Sequence, residues 1–194
     1  MIQKATIWIA ALLYAGFATF ANPAMAEPNV AALTEMRQGD MRKLVFHTTP
    51  RGISPLAFQT ADGTEKTLAA YQGKTILLNF WATWCAPCRE EMPELDALNA
   101  ELGGAAFEVV TISTGGDNLK KIKRFFTKAG VSSLPILIDD SSNLSRNMGA
   151  FGLPTTVIIN PDGKEIARMQ GEAHWNSENA RALISAILEG YAGS

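Results

Sequence analysis

The spacing of apolar and polar positions predicts an alternation of strands and helices. Thr75-Ile76-Leu77-Leu78-Asn79-Phe80, opened by Gly73-Lys74, has the length and β-rich composition of a strand buried on both faces. Phe107 to Ser113 repeats the pattern, and Pro135 leads a third apolar strand into Asp139-Asp140. Between the first two, Met92, Leu95, Leu98 and Leu102 share one side of a helix ending near Gly103-Gly104. A second helix runs to Ala129, with Asp117 as its expected cap and Gly130 as its stop. Earlier, Leu56 to Leu68 holds two short strand-like runs around Asp62-Gly63, a hairpin signal. Later come a short helix near Ser142 to Met148, a strand from Thr155 to Asn160, the turn Asn160-Pro161-Asp162-Gly163 and its partner strand from Glu165 to Gln170. Asn176 or Ser177 caps a last helix, with Ala182, Ile184, Ile187 and Leu188 facing inward. The order is α/β: a three-layer sandwich whose mixed central sheet is flanked by helices.

The first residues follow a different pattern. Lys4 is the only charge before an uncharged run from Ala5 to Ala21, and Ala24-Met25-Ala26 then precedes Glu27. A basic start, an apolar middle and a small-x-small end predict a secretory signal peptide over residues 1–26. The alternative is an uncleaved membrane anchor, because a 17-residue run is at the short edge of the roughly 17–25 that span a bilayer. Either way the domain is expected outside the cytoplasm, soluble after cleavage of the leader or anchored to the membrane. Residues 27–52, helix-permissive from Val30 to Met41, are expected to form an N-terminal extension, and residues 53–194 the domain itself.

Charge excludes one class of partner. The chain has a net charge of −2 and a pI of about 5.7, without the basic stripe that nucleic acid requires. Lys120, Lys121, Lys123, Arg124 and Lys128 do gather on one amphipathic helix, where a solvated face is the expected reading.

The candidate chemistry rests on the two cysteines, Cys85 and Cys88, which are the only ones in the chain. An exported protein stapled by disulfides would scatter cysteines through its loops. A pair three apart between a buried strand and a helix suggests chemistry instead. The unpaired N–H groups and positive macrodipole of a helix N-terminus stabilise a thiolate, so the first cysteine becomes a nucleophile near neutral pH. Arg89 adds positive charge, and Cys88 lies one turn on, within reach of a disulfide. Pro87 suits a first turn, where its missing N–H costs nothing. Three other readings are open. A zinc half-site would need further ligands, and His47 and His174 are distant in sequence. A structural disulfide over so short a loop would stabilise little. Two free thiols would leave their placement without a reason.

Phe80-Trp81-Ala82-Thr83-Trp84-Cys85-Ala86-Pro87-Cys88-Arg89-Glu90-Glu91-Met92-Pro93 resembles the active-site signature of TlpA-type thiol:disulfide interchange proteins, the thioredoxin-like disulfide reductase family. Gly152-Leu153-Pro154-Thr155-Thr156 resembles that family's cis-proline loop, and Ala173-His174-Trp175-Asn176-Ser177 its lead into the last helix. The resemblance runs from about Thr49 to the C-terminus and implies a thioredoxin-like fold. It implies that Cys85 attacks, Cys88 resolves, and Trp84, Leu153 and Pro154 contact the substrate, with no cofactor and no metal. It further implies a protein-disulfide reductase acting on client proteins in cytochrome c maturation or oxidase copper-site assembly. A membrane electron donor would re-reduce the pair.

Two features depart from the pattern. Thioredoxins proper carry a buried aspartate where this chain has Asn79, and an amide cannot accept a proton as a carboxylate does. Relatives that place an acid between the cysteines or beside the cis-proline differ too, since Ala86 and Thr155 stand there. The acceptor of the Cys88 proton is therefore not identified by the motifs. The chain also lacks the additional cysteine pair that some members possess. Two alternatives to a reductase share the fold: a copper metallochaperone, which generally spaces its cysteines wider and adds a histidine, and a disulfide-forming oxidant, which differs in potential. His47 and His174 are expected to be structural or surface residues, Trp81 core, and Trp175 packed on the last helix.

Overall fold

A computed structural model of the chain describes residues 28–192; the expected leader lies outside them. The central sheet takes the order β1-β8-β7-β4-β5-β6-β2-β3. Its middle is β4 (Thr75–Trp81), parallel to β5 (Phe107–Thr114), which is in turn parallel to β6 (Leu137–Asp139). On the other side of β4, β7 (Thr155–Ile159) and β8 (Lys164–Gln170) run antiparallel, joined by the Asn160–Gly163 turn. The hairpin β2 (Phe58–Thr60) and β3 (Glu65–Lys66) extends the far edge through β6. β1 (Val45–Gly52) closes the near edge against β8.

Strand alternation divides the core into two. From β4, Leu77 and Trp81 point into a cluster with Met92, Leu95 and Leu98 of α2 (Ala86–Leu102), Ile122 and Phe126 of α3 (Leu119–Ala129), and Leu183 and Ile187 of α5 (Glu178–Ala192). Leu33 of α1 (Val30–Met36) joins the same cluster. Ile76, Leu78 and Phe80 point the other way, onto Phe58, Leu68 and Leu144 of α4 (Asn143–Asn147). This is the thioredoxin-like three-layer arrangement, with a helix-rich face and a thinner one.

Three local expectations are corrected. Asp117 does not cap α3; Asn118 does, its Oδ1 accepting from Lys121 N at 3.0 Å, while Asp117 is recruited to the preceding loop. In α5 the inward positions include Ala180 and Leu183, and Ala182 is exposed. The segment read as a lead-on extension supplies both α1 and the sheet strand β1. That strand was hidden because most of its residues are exposed and Pro50 interrupts it.

Candidate active site

β4 delivers the chain to the site. It ends at Trp81, and Ala82-Thr83-Trp84 then carries it to Cys85, which is the N-cap of α2. The Cys85 Sγ accepts a hydrogen bond from Cys88 N at 3.3 Å, so a sulfur occupies the position where a helix start usually takes an oxygen. Cys85 and Cys88 are joined as a disulfide with Cα atoms 5.3 Å apart. Cys88 is fully buried, whereas Cys85 keeps 6% exposure, so a partner can reach only the first sulfur.

The turn before the cysteines is clamped from both sides. The buried Asp117 carboxylate accepts from Thr83 N and Thr83 Oγ1, and also from Ser113 Oγ at 3.0 Å. Arg89 Nη1 donates back to Thr83 O at 2.9 Å, so its guanidinium braces the loop. The Trp84 side chain is 62% exposed and lies over Gly115, where a Cβ would approach its ring to 3.1 Å. Glycine is needed there for space and for a φ of +79°.

The second loop arrives at the same end of the sheet, because Thr155 is the register partner of Phe80. The Leu153–Pro154 peptide is cis. Thr155 Oγ1 donates to Gly152 O at 2.6 Å, and Gly171 N donates to Pro154 O at 2.9 Å. Leu153 packs against the core cluster containing both cysteines, while its own N–H and C=O make no hydrogen bond among the described residues. Phe151, one residue before Gly152, is 83% exposed, and sequence pattern gave no reason to single it out.

The residue that motif reading missed is Glu91. It lies three positions after Cys88 on the same face of α2 and is buried, at 2% exposure. Its Oε1 accepts from Asn79 Nδ2 at 2.8 Å; its Oε2 accepts from Trp175 Nε1 at 3.0 Å and Ala173 N at 3.1 Å. Burial pushes the carboxyl up to about 7, against the pull of those three donors. Asn79 also donates to Thr156 Oγ1 at 3.0 Å, so the asparagine that replaces the expected aspartate orients a carboxylate supplied by the helix. The usable signal was a glutamate one turn after the second cysteine, in phase with the apolar Met92, Leu95 and Leu98 of the same helix. Trp81 is core, and Trp175 is buried against Glu91. His47 is buried on Glu165, and His174 is exposed beside Glu94.

The sequence profile of the family described as Redoxin matches residues 43–184. The chain is 32% identical over 111 residues to the thiol-disulfide oxidoreductase ResA of Bacillus thuringiensis, an alignment covering 57% of this chain and 63% of that relative. It is 35% identical over 107 residues to the thioredoxin-like protein YneN of Bacillus subtilis, covering 55% and 62%. The chain thus spans less than two thirds of the length of these relatives. A secreted thiol-disulfide isomerase of Corynebacterium glutamicum superposes with a TM-score of 0.64 at 19% identity, over 80% of this chain and 96% of that one, a likeness of fold.

Proposed function

Since this chain belongs to the Redoxin family, we propose that it is a thiol–disulfide oxidoreductase of the TlpA type, working as a disulfide reductase on client proteins in the periplasm. The observation that carries the reading is the pairing of Cys85 and Cys88 at the head of α2 with a buried carboxylate, Glu91, one turn behind. Clients in cytochrome c maturation or oxidase copper-site assembly fit the resemblance to TlpA-type proteins. The leader motif over residues 1–26 supports delivery out of the cytoplasm. No helix among the described residues is long and apolar enough to cross a membrane.

In the reduced protein, the Cys85 thiolate attacks one sulfur of a client disulfide. A Cys85–client disulfide forms, the client bond breaks, and the departing client sulfur takes up a proton. Cys88 then loses its proton and attacks Cys85 Sγ, closing the disulfide seen in the structure and releasing the second client thiol. Two electrons pass to the client. A carboxyl raised to about 7 and buried on the Cys88 face can hold the proton that Cys88 must lose. Leu153, whose backbone groups are unspent, pairs with an extended client segment, and Trp84 supplies an apolar contact beside it. An external dithiol protein at the membrane must return two electrons for each turnover.

Two measurements test the reading. Equilibration with glutathione should give a potential nearer about −270 mV than −120 mV, because Ala86 and Pro87 add nothing that would stabilise the reduced thiolate unusually. A value above about −180 mV would overturn the direction assigned. Separately, Cys88→Ser should accumulate mixed disulfides through Cys85, and Cys85→Ser should trap almost none.

A further inference from the structure

We propose that the groove between the redox loop and α3 is a docking surface for acidic segments of the proteins that exchange disulfides at Cys85. The proposal rests on the reductase reading and specifies the kind of partner it serves. The groove has a volume of about 530 Å³, with Thr83 and Arg89 on one side and Lys121, Arg124, Phe125 and Lys128 on the other. Thr83 stands two residues before Cys85, so an occupant lies within reach of the reactive sulfur.

The charge distribution is what requires an explanation. Over Leu119–Ala129, α3 carries Lys120, Lys121, Lys123, Arg124 and Lys128 and no acid, in a chain whose net charge is −2. All five are exposed, as is Arg89. Lys43, Lys74, Arg168 and Arg181 pair with carboxylates, but none of these six cations forms an ion pair with a described residue. Solvation accounts for lysines being on a surface, but not for the lack of any acid along α3 to pair with them. The arrangement also works against the helix. Lys120 and Lys121 occupy its first turn, where the macrodipole disfavours cations, and Lys120/Arg124 and Arg124/Lys128 are like-charge pairs one turn apart. A local cost of this kind, held beside a reactive centre, is expected where the surface serves recognition. The occupant is a protein segment because the groove is concave and one wall is the redox loop itself. A flat anionic bilayer could not enter it and also present a disulfide to Cys85. The half-buried Phe125 ring, 5.4 Å from Trp81, gives the basic wall an apolar floor.

The test uses two synthetic peptides, each closed by one disulfide and identical except for aspartates or lysines flanking it. At low ionic strength the wild-type protein should reduce the acidic peptide about 10-fold faster in kcat/KM, and the ratio should collapse toward unity in high salt. The triple variant Lys121→Glu/Arg124→Glu/Lys128→Glu should abolish or invert the preference. Its rate with neutral 2-hydroxyethyl disulfide should match wild type, which reports an intact redox centre. Equal wild-type rates for both peptides would overturn the proposal whatever the variant does. If the peptides show no preference but the protein sediments with phosphatidylglycerol vesicles in a Lys121- and Arg124-dependent way, the surface belongs to lipid and the proposal is wrong. Failure of the reductase reading looks different: neither peptide nor the small disulfide would be reduced, and both proposals would fall together.

Discussion

Glu91 holds a carboxyl in a site where its ionised form is expensive. Burial raises it from 4.5 to about 7, and the donors Asn79 Nδ2, Ala173 N and Trp175 Nε1 only partly offset that cost. Relative to the unfolded chain, the fold favours the protonated form. The associated stability is therefore fully present below about 4.5 and is lost as pH rises through about 7. Glu91→Gln removes the titration while keeping the shape. Its carbonyl oxygen can face Trp175 and Ala173, and Asn79 can turn its amide so that Oδ1, unpartnered among the described residues, accepts from the new NH₂. Urea denaturation of the oxidised protein should show wild type losing stability between pH 5 and 8 relative to the variant. Stopped-flow exchange at pH 7 should show the variant resolving mixed disulfides about 10²-fold more slowly, with the inflection near 7 gone, as for loss of a general base. A variant whose pH profile keeps that inflection would assign it to another group. The cysteine pair was legible from spacing alone, whereas Glu91 was not. A glutamate in a charged run, Arg89-Glu90-Glu91, reads as solvated surface until the helix phase and the neighbouring Trp175 are known.

At the scale of elements, the redox loop is held by residues far from it in sequence. Asp117, in the loop between β5 and α3, fixes Thr83 through the threonine's backbone N–H and side chain, and Arg89 of α2 holds the Thr83 carbonyl. Asp117→Ala leaves a part-buried N–H and two hydroxyls without their acceptor, a loss of about 1–3 kcal/mol for the unsatisfied groups. Asn118→Ala removes a helix cap worth about 1 kcal/mol. The two should differ in kind: hydrogen exchange at the Thr83 amide should accelerate strongly in the first and stay at the wild-type rate in the second. Equal Thr83 protection in both would mean that Asp117 does not brace the loop. Sequence pattern placed the cap one residue early because Asp and Asn are almost equally good at that position. Only the path of β5 beside β4 decides which one turns toward Thr83. The central strands were legible for the opposite reason. A strand covered on both faces, such as β4, cannot be polar for long, and its composition betrays it. Edge strand β1 has no such constraint.

For the whole molecule, the question is whether the N-terminal segment belongs to the folding unit. β1 pairs with β8 from Val45↔Arg168 to Gly52↔Lys164, and its His47 Nε2 meets Glu165 Oε1 at 2.6 Å in a buried contact. Glu165 also binds Arg168 at 2.6 and 2.7 Å, and Arg168 Nη2 donates to Met148 O at 2.9 Å, at the root of the loop leading to Pro154. The edge strand is thus connected to the cis-proline loop through three side chains. Leu33, Met41 and Leu44 add buried apolar surface, each worth about 1.5–3 kcal/mol. A chain beginning at Ile53 would lose all three, and Glu165 would keep its burial without His47. The sum approaches the whole stability of a typical domain, about 5–15 kcal/mol. Such a chain should fail to unfold cooperatively by circular dichroism, whereas one beginning at Glu27 should match the full chain. Acid should weaken the same connection. Burial alone would raise Glu165, but Arg168 and His47 together hold it below the ordinary carboxylate range. Its contribution is therefore present above about 4.5 and is lost as pH falls through the lowered value. Glu91 acts in the opposite sense, so stability should peak in the mildly acidic range and decline on both sides. His47→Leu should flatten the acid limb and Glu91→Gln the limb near pH 7. A chain beginning at Ile53 that melts as sharply as the full protein would instead make β1 an appendage and leave the acid limb to other carboxylates.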